Sequence, residues 1–284
     1  MTARILVFGA MGQVGRELAL LGSDIVALTR DQADLTTPGQ AAQAIADYAP
    51  RAVINAAAYT AVDRAESEPE LAHRINADAV GEIATTCADA GIPLVHISTD
   101  YVFDGTGTHA WQPKDTPNPL GVYGHSKLAG ERAVQAAGGP YVILRTSWVV
   151  SAHGHNFVKT MRRLGRERDV LTVVSDQIGA PTGARDIAHA CREIADQLCT
   201  EPDKSGIYHF AGTPYASWAD VARAVMGAGG LGCQIQDIPS AAYPTPAPRP
   251  RNSRLDCSAT KSVFGIAQPD WRDTVATVLR ELGR

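Results

Sequence analysis

The sequence predicts an α/β protein: a Rossmann-like, doubly wound parallel sheet followed by a smaller, partly discontinuous C-terminal lobe. In the first half, short apolar β-branched runs alternate with longer segments of helical spacing. The runs are continuously apolar, as in parallel strands buried on both faces, and the first is followed by a glycine-rich turn. Because such alternation produces right-handed βαβ units, we expect a dinucleotide-binding domain over 1–150. A mainly substrate-binding lobe over 151–284 should return some segments to the first domain.

The predicted elements follow in chain order. Five runs read as buried strands: "RILVFGA" (4–10), "IVALT" (25–29), "AVINAAA" (52–58), "LVHIST" (94–99) and "YVILRTS" (141–147). Between them, helical spacing occurs in "MGQVGRELALLG", "PGQAAQAIADYA", "ESEPELAHRINADAVGEIATTCADAG" and "HSKLAGERAVQAAG", several of which end on glycine. Further on we expect helices at 155–168, 184–198 and "SWADVARAVMGAG", and strands at 170–174 and 206–212. The proline- and arginine-rich segment 238–258 favours neither a long helix nor a central strand, and it fits a surface linker or a binding loop.

Composition excludes several classes of function. The 284 residues carry a formal net charge of −4 and no basic run, so we expect neither a nucleic-acid nor a membrane-surface partner. No apolar run reaches the roughly 18 residues that span a bilayer, and "MTARILVFGA" does not resemble a secretory signal. The five cysteines are scattered and form no CxxC pair, which predicts a reduced, cytoplasmic chain. His153 and His155 are interpreted as part of a polar loop, and no metal site is predicted.

The loop "VFGAMGQVGREL" predicts a dinucleotide site. It places Gly9, Gly12 and Gly15 between the first strand and the first helix. In this context the three glycines permit a tight turn, close approach of backbone to a pyrophosphate, and close helix–strand packing, respectively. The helix N-terminus adds free N–H groups and a positive dipole end.

The end of the second predicted strand indicates which nicotinamide cofactor is preferred. An NAD site usually has Asp or Glu there, whereas "IVALTRDQADL" has Thr29 followed by Arg30. A guanidinium attracts a 2′-phosphate. We therefore predict NADPH as the preferred cofactor and leave NADH open as a second one. The alternative is that Arg30 is only solvated, with Asp31 partly offsetting its charge.

The segment "NPLGVYGHSKLAGE" places Tyr123 four residues before Lys127. Residues i and i+4 lie on the same face of a helix, so both side chains can reach one ligand. An ordinary tyrosine has a pKa near 10, and a neighbouring ammonium together with an oxidised nicotinamide would lower it. By itself the pair fits either a proton-donating site or two unrelated surface residues.

The glycine loop, "NAAAYTAVDRAE", "HISTDYVFDG", "YGHSK" and "LRTSWV" occur in one order along the chain. Together they resemble the extended short-chain dehydrogenase/reductase family over nearly the whole length. "NFVKTM", "DQIGAPTGA" and "YPTPAPRPRNSRL" are similar to the subfamily of dTDP-4-dehydrorhamnose reductases. This resemblance implies NADPH-dependent reduction of dTDP-4-keto-6-deoxy-L-mannose at C4. It leaves open a reductase of another nucleotide-linked keto sugar, a non-catalytic NADP-binding regulatory subunit like that of methionine adenosyltransferase, and a homodimer.

The resemblance also implies roles for individual residues. Tyr123 would be the proton donor, Lys127 its charge partner and ribose clamp, and Thr99 the hydroxyl that orients the substrate carbonyl. The residues expected to bind the cofactor are Gly9, Gly12, Gln13, Val14, Gly15, Arg30, Asp34, Leu35, Ala57, Ala58, Tyr59, Thr60, Tyr123 and Lys127. Thr99, Asp100 and Trp148 would contact the sugar, although a lone tryptophan also fits plain core filling. Candidates for the nucleotide diphosphate are Asn156, Gln177, Arg249, Asn252 and Arg254.

Overall fold

The computed structural model describes residues 4–283. Its first half alternates strands and helices: β1 (Ile5–Phe8), α1 (Gln13–Ala19), β2 (Ile25–Leu28), α2 (Gln40–Tyr48), β3 (Ala52–Asn55), α3 (Val62–Ala65), α4 (Pro69–His73), α5 (Ala79–Asp89), β4 (Leu94–Thr99), α6 (Val122–Ala137) and β5 (Tyr141–Thr146). The second half contains β6 (Val149–Val150), α7 (Phe157–Glu167), β7 (Val170–Val174), β8 (Ile178–Gly179), β9 (Thr182–Gly183), α8 (Ala184–Leu198), β10 (Gly206–His209), β11 (Ala216–Ser217), α9 (Trp218–Gly229), β12 (Gln234–Ile238), α10 (Ser258–Phe264) and α11 (Trp271–Glu281).

Six strands form one parallel sheet in the order β2-β1-β3-β4-β5-β10. β2 lies on one side of β1. On the other side of β1, the strands β3, β4, β5 and β10 follow one another in chain order. The predicted doubly wound, Rossmann-like sheet is therefore confirmed. In such sheets a ligand crevice lies outside the carboxyl ends of the strands where the winding reverses, which here is between β1 and β3.

Apolar side chains cover both faces of this sheet. Ile5 and Val7 of β1 join a buried cluster with α1 and α8, whereas Leu6 and Phe8 join another with α2, α5 and α6. All four β1 residues are almost completely buried, as expected for a strand between two helical layers. This is why the strand sequences are continuously apolar instead of alternating.

A third buried cluster is built mainly from residues of the second half, on β7, α7, α9 and α11, and it includes Val150 of β6. In contrast, β10 pairs with β5 in the main sheet, and α8 packs with α1 against the same sheet. These contacts support a second lobe that is interrupted by segments belonging to the first. The boundary at residue 150 remains our proposal. No helix within residues 4–283 is both long and apolar enough to cross a bilayer.

Two segments differ from a plain reading of their sequence. The single helical stretch expected before β4 is divided into α4, a π-helical turn at Arg74–Asp78, and α5. At this turn the Asn76 amide bonds both backbone groups of Tyr59 and the hydroxyl of Ser126. The proline-rich segment 238–258 packs against the fold instead of running free: Asn252 N–H donates to Gly105 O at 3.0 Å, and Trp111 N–H donates to Arg254 O at 2.9 Å.

Candidate active site

A cleft of about 810 Å³ opens where β2, β1, β3, β4 and β5 end, and residues from both halves of the chain line it. It lies at the position that the reversal of winding between β1 and β3 predicts for a ligand. Most residues predicted to bind the cofactor line this cleft: Gly9, Gly12, Gln13, Val14, Arg30, Asp34, Leu35, Ala57, Ala58, Thr60, Tyr123 and Lys127. Thr99, Asp100 and Trp148, predicted to contact the sugar, line it too.

The glycine loop leaves backbone open toward the cleft. Gly9 has φ +95°, and a Cβ there would lie 2.7 Å from the backbone nitrogen of Ala57. A Cβ on Gly15 would lie 2.0 Å from the carbonyl oxygen of Gly9, so Gly15 lets α1 pack closely under the loop and does not itself line the cleft. A Cβ on Gly12 would come no closer than 3.4 Å to the carbonyl oxygen of Gly9. The loop is therefore a cradle that side chains would fill, which fits a bound pyrophosphate.

Arg30 lies at the end of β2 with its side chain 68% exposed and its Nε 3.3 Å from Asp34 Oδ2. The other carboxylate oxygen of Asp34 accepts from the backbone N–H of Thr36 at 2.9 Å and from its hydroxyl at 2.8 Å, and these bonds lower the pKa of Asp34. The carboxylate is thus held by its own turn, while most of the guanidinium faces solvent. This arrangement suits a 2′-phosphate.

Tyr59 does not line the cleft. Its hydroxyl donates to Glu68 Oε2 at 2.5 Å, and this bond raises the pKa of Tyr59. Its backbone N–H donates to Asn76 Oδ1 at 2.8 Å. The side chain of Tyr59 is therefore directed at Glu68 and not at the cleft. A contact between the cofactor and the backbone of Tyr59 stays a prediction.

Tyr123 lies in the first turn of α6, with its ring edge-on to that of Tyr101 at a centroid distance of 5.5 Å. Burial raises the pKa of Tyr123 to about 12, and the hydrogen bond with Thr99 opposes this shift. The protein's own groups therefore raise the pKa of Tyr123, whereas the lowering predicted from the sequence also involves an oxidised nicotinamide. A phenol that keeps its proton suits a proton donor in a reduction.

Lys127 is one turn further along α6 and only 1% exposed. Its Nζ donates to Ile97 O at 2.8 Å and lies 3.3 Å from His96 Nε2. Burial lowers the pKa of Lys127 to about 8, while the carboxylate of Glu131 opposes this shift. The lysine is thus fixed from the sheet side by β4.

Asp100 and Trp148 form part of the wall of the cleft. Burial raises the pKa of Asp100 to about 6, so this carboxyl takes up a proton much closer to neutral pH than an ordinary aspartate. Trp148 has φ +48°, a region that non-glycine residues rarely adopt. A Cβ on Gly179 would lie 2.8 Å from the Trp148 ring, so the ring rests directly on this glycine.

None of the five residues predicted to bind the nucleotide diphosphate is among those that line the cleft. Asn156 caps α7 by accepting from Lys159 N–H at 3.2 Å, and its Nδ2 donates to Gln13 Oε1 at 2.9 Å. Gln13 Oε1 also accepts from the Ser151 hydroxyl at 2.8 Å. Asn156 is therefore used to join the second half of the chain to the glycine loop.

The other four are bound to protein groups around the proline-rich segment. Arg249 forms an ion pair with Asp63 at 2.8 Å. Asn252 is buried and donates to the carbonyl oxygens of Thr106 and His109 at 3.2 and 2.8 Å. The remaining contacts are those of Gln177 with the Ser240 hydroxyl at 3.0 Å and of Arg254 with Asn252 Oδ1 at 2.9 Å. Their predicted contact with a nucleotide stays a prediction.

The residues at the site that the sequence did not single out include His96 and Trp218. His96 bonds Lys127 from within β4, and its signal was a polar residue in the middle of the apolar run "LVHIST". Trp218 lines the cleft from the start of α9, 70 positions after Trp148. Nothing local in its sequence indicates this contact, because it depends on how the two halves pack. Within residues 4–283 no group of three or more His, Cys, Asp or Glu side chains is placed to hold a metal ion.

Comparison with known proteins identifies the family. The model of the RmlD substrate binding domain matches residues 3–284. A dTDP-4-dehydrorhamnose reductase of Burkholderia thailandensis is 45% identical, over 98% of this chain and 99% of its own. One from Escherichia coli K12 is 42% identical, over 98% of this chain and 97% of its own. The chain belongs to the dTDP-4-dehydrorhamnose reductase family.

Solved structures agree with this family membership. A dTDP-4-dehydrorhamnose reductase of Bacillus anthracis, in complex with NADP, superposes with a TM-score of 0.92 at 33% identity, covering 99% of this chain and 100% of its own. A Thermus thermophilus UDP-glucose 4-epimerase in complex with NAD has a TM-score of 0.82 at 20% identity, covering 99% of both chains, and shares only the fold. Members of the dTDP-4-dehydrorhamnose reductase family are oxidoreductases, and the cradle and Arg30 of this member fit NADPH.

Proposed function

We propose that this protein reduces the C4 keto group of dTDP-4-dehydro-L-rhamnose to give dTDP-L-rhamnose, with NADPH as the reductant. The observation that carries the proposal is the convergence of Thr99, Tyr123 and Lys127 on one cleft with the glycine loop, in a chain of this family. A module that only bound NADP would not need a buried phenol that keeps its proton.

NADPH, when bound, supplies the hydride for C4 of the sugar. Gly9, Gly12 and Arg30 would hold it through the loop backbone and the guanidinium. Tyr123 holds a proton at its phenol oxygen and donates it to the oxygen at C4 as negative charge develops there. General acid help of this kind contributes roughly 10²–10⁴ in rate.

Thr99 and Lys127 act on this proton donor. The Thr99 hydroxyl hydrogen-bonds Tyr123 and would orient the carbonyl against it. Lys127, when protonated, stabilises the tyrosinate that remains after the transfer. Asp100 and Trp148 would hold the sugar ring against this group. We place the reaction in the cytoplasm because all five cysteines are free thiols.

The decisive experiment follows the loss of NADPH absorbance on adding dTDP-4-dehydro-L-rhamnose or its UDP analogue. We expect turnover with the dTDP sugar and a higher KM for the UDP analogue. Tight NADPH binding without turnover of either sugar would replace the proposal with a regulatory, NADP-binding role. A preference for the UDP sugar would assign the protein to another nucleotide-sugar reduction.

A further inference from the structure

Lys127 ends a chain of buried polar groups whose other members, Asn55 and His96, have no part in the proposed catalytic steps. Asn55 Oδ1 accepts from the backbone N–H of Ala57 at 3.1 Å, and Asn55 Nδ2 lies 3.2 Å from His96 Nδ1. His96 Nε2 in turn lies 3.3 Å from Lys127 Nζ. Asn55 and His96 are 0% exposed and Lys127 is 1% exposed, so no water competes for these contacts.

The first contact fixes the orientation of the Asn55 amide. A backbone N–H can only donate, so the group facing Ala57 N must be the amide oxygen. If the amide were flipped, its NH₂ group would face the backbone N–H of Ala57. Two buried donors without an acceptor between them cost about 1–3 kcal/mol. The NH₂ of Asn55 is therefore directed at His96 Nδ1.

The orientation of Asn55 fixes the tautomer of His96. Because Nδ1 faces a donor, it must present its lone pair, and a neutral imidazole then carries its proton on Nε2. A charged imidazolium has no lone pair for Asn55. Burial, followed by the charge of Lys127, also lowers the pKa of His96 well below its ordinary value.

The Nε2–H of His96 points at Lys127 Nζ. An ammonium has three donors and no acceptor, so it leaves this N–H without a partner. A neutral amine can accept from His96 Nε2–H while it donates to Ile97 O. The hydrogen-bond pattern from Asn55 through His96 is therefore complete only when Lys127 is uncharged.

The charged groups around Lys127 do not reverse this preference. Glu131, one turn along α6, favours the ammonium. However, its carboxylate already accepts from Arg145 at 2.6 and 2.9 Å and from the Ser98 hydroxyl at 2.5 Å. Tyr123 on the same helix is a neutral phenol at neutral pH. On the β4 side, burial and the Asp100 carboxylate raise the pKa of Tyr123 and of Tyr101, whereas the pKa of Lys127 is shifted by burial and by Glu131.

We propose that His96 is a positioning residue that controls the protonation state of Lys127: held in one tautomer by Asn55, it presents an N–H to the lysine and favours the neutral amine. Lys127 consequently loses its proton much closer to neutral pH than an ordinary lysine, whose pKa is about 10.4. The catalytic consequence, a loss of reductase rate as Lys127 deprotonates, rests on the proposed function. The protonation state itself does not.

The test is a pH titration of the free protein, labelled with ¹³C at the lysine Cε and observed by NMR. The chain has only five lysines, and a Lys127→Gln variant assigns the signal. We expect the Lys127 signal to titrate near pH 8 in the wild type. In His96→Gln the amide can rotate to offer an oxygen to the ammonium, so the midpoint should rise by about one pH unit, a tenfold change in the equilibrium.

His209→Gln is the matched control. It makes the same substitution at another buried strand histidine, whose Nδ1 lies 3.0 Å from Trp111 O and which has no contact with Lys127. It should leave the Lys127 midpoint unchanged. A wild-type midpoint near that of an ordinary lysine, or the same midpoint in folded His96→Gln as in wild type, would overturn the proposal.

A second measurement does not depend on any variant. Long-range ¹H–¹⁵N spectra distinguish the two neutral histidine tautomers, and we expect His96 to carry its proton on Nε2 across neutral pH. A proton on Nδ1, or a charged ring, would refute the inference even if His96→Gln did not fold. Both measurements use protein without substrate, so their outcome is separate from that of the turnover assay.

Discussion

The indole ring of Trp148 stacks on the ring of Trp218, with centroids 3.6 Å apart and planes 12° apart. The ring of Phe157 contacts that of Trp218, with centroids 4.5 Å apart. A residue at φ +48° persists only when its surroundings hold it there. Because Trp218 and Phe157 pack against the cluster of the second half, that half of the chain holds the tryptophan that we place against the sugar.

Removing the stack should weaken sugar binding. Aromatic pairs contribute about 0.5–1.5 kcal/mol beyond their buried area, so Trp218→Leu should raise KM for the sugar by about two- to tenfold. Trp218→Phe keeps a ring for Trp148 and should show a smaller increase. Steady-state kinetics at saturating NADPH checks both variants. An unchanged sugar KM in folded Trp218→Leu would mean that Trp148 needs no support.

Replacing Arg30 should change which cofactor is preferred. Its guanidinium is mostly exposed at the end of β2, where a 2′-phosphate would bind. Arg30→Ala should raise KM for NADPH by about tenfold, equivalent to the loss of one charge-assisted hydrogen bond, and leave KM for NADH nearly unchanged. Arg163→Ala, an exposed arginine paired with Glu167 on α7, should change neither value. If the ratio of the two KM values stays the same in Arg30→Ala, the guanidinium is merely solvated.

Tyr123→Phe should lower kcat by roughly 10²–10⁴-fold, the range of general acid catalysis, because the phenol proton is removed while the ring remains. Fluorescence titration should show nearly normal NADPH affinity. Tyr208→Phe removes a buried hydroxyl that bonds Lys204 O, away from the cleft, and should keep its kcat. Turnover close to wild type in Tyr123→Phe would require another proton donor.

Two buried histidines should make the fold sensitive to acid. Burial lowers the pKa of His209 to about 3 and that of His96 well below 6.5. The unfolded chain therefore binds more protons than the folded one below about pH 6.5, and stability falls as pH falls through that window. Each histidine contributes about 1.4 kcal/mol per pH unit to the slope of the free energy of unfolding against pH. Burial raises the pKa of Asp100 to about 6, so between about pH 6 and 4 its protonation offsets the contribution of one histidine.

Urea unfolding between about pH 6 and 4.5 measures this slope. His209→Gln should flatten it by about one proton, or 1.4 kcal/mol per pH unit. Replacement of the exposed His73 by Gln should leave the slope as in wild type. A slope that is equal in His209→Gln and wild type would show that the buried imidazole accepts a proton without cost.

The fold followed closely from local sequence, because burial between two helical layers leaves a continuous apolar signal. The predicted strand 170–174 and helix 184–198 coincide with β7 and α8. The π-helical turn in the stretch before β4 had no such signal. A Cβ on Gly130 of α6 would lie 2.1 Å from Asn76 O, so this turn is shaped by contact with a helix about 50 residues away.

The site residues also differ in how well the sequence predicts their contacts. The glycine loop and the Tyr123–Lys127 pair lie within short motifs whose spacing carries their chemistry, and the structure brings both to one cleft. The candidates on the proline-rich segment rested on the family resemblance and on residue type, without a spacing that carries chemistry. Residue type does not reveal that Arg249 pairs with Asp63 or that Asn252 holds a loop from within the core.

The amide of Gln13 has a consequence for protein engineering. Its oxygen accepts from Ser151 and Asn156 together, and its nitrogen lies 3.4 Å from Val149 O. A chimera that grafts another reductase's second half at residue 150 would place foreign side chains on this one amide. The second half of the chain therefore cannot be exchanged independently of the glycine loop. A graft should retain the partners of Gln13 or transfer the glycine loop as well.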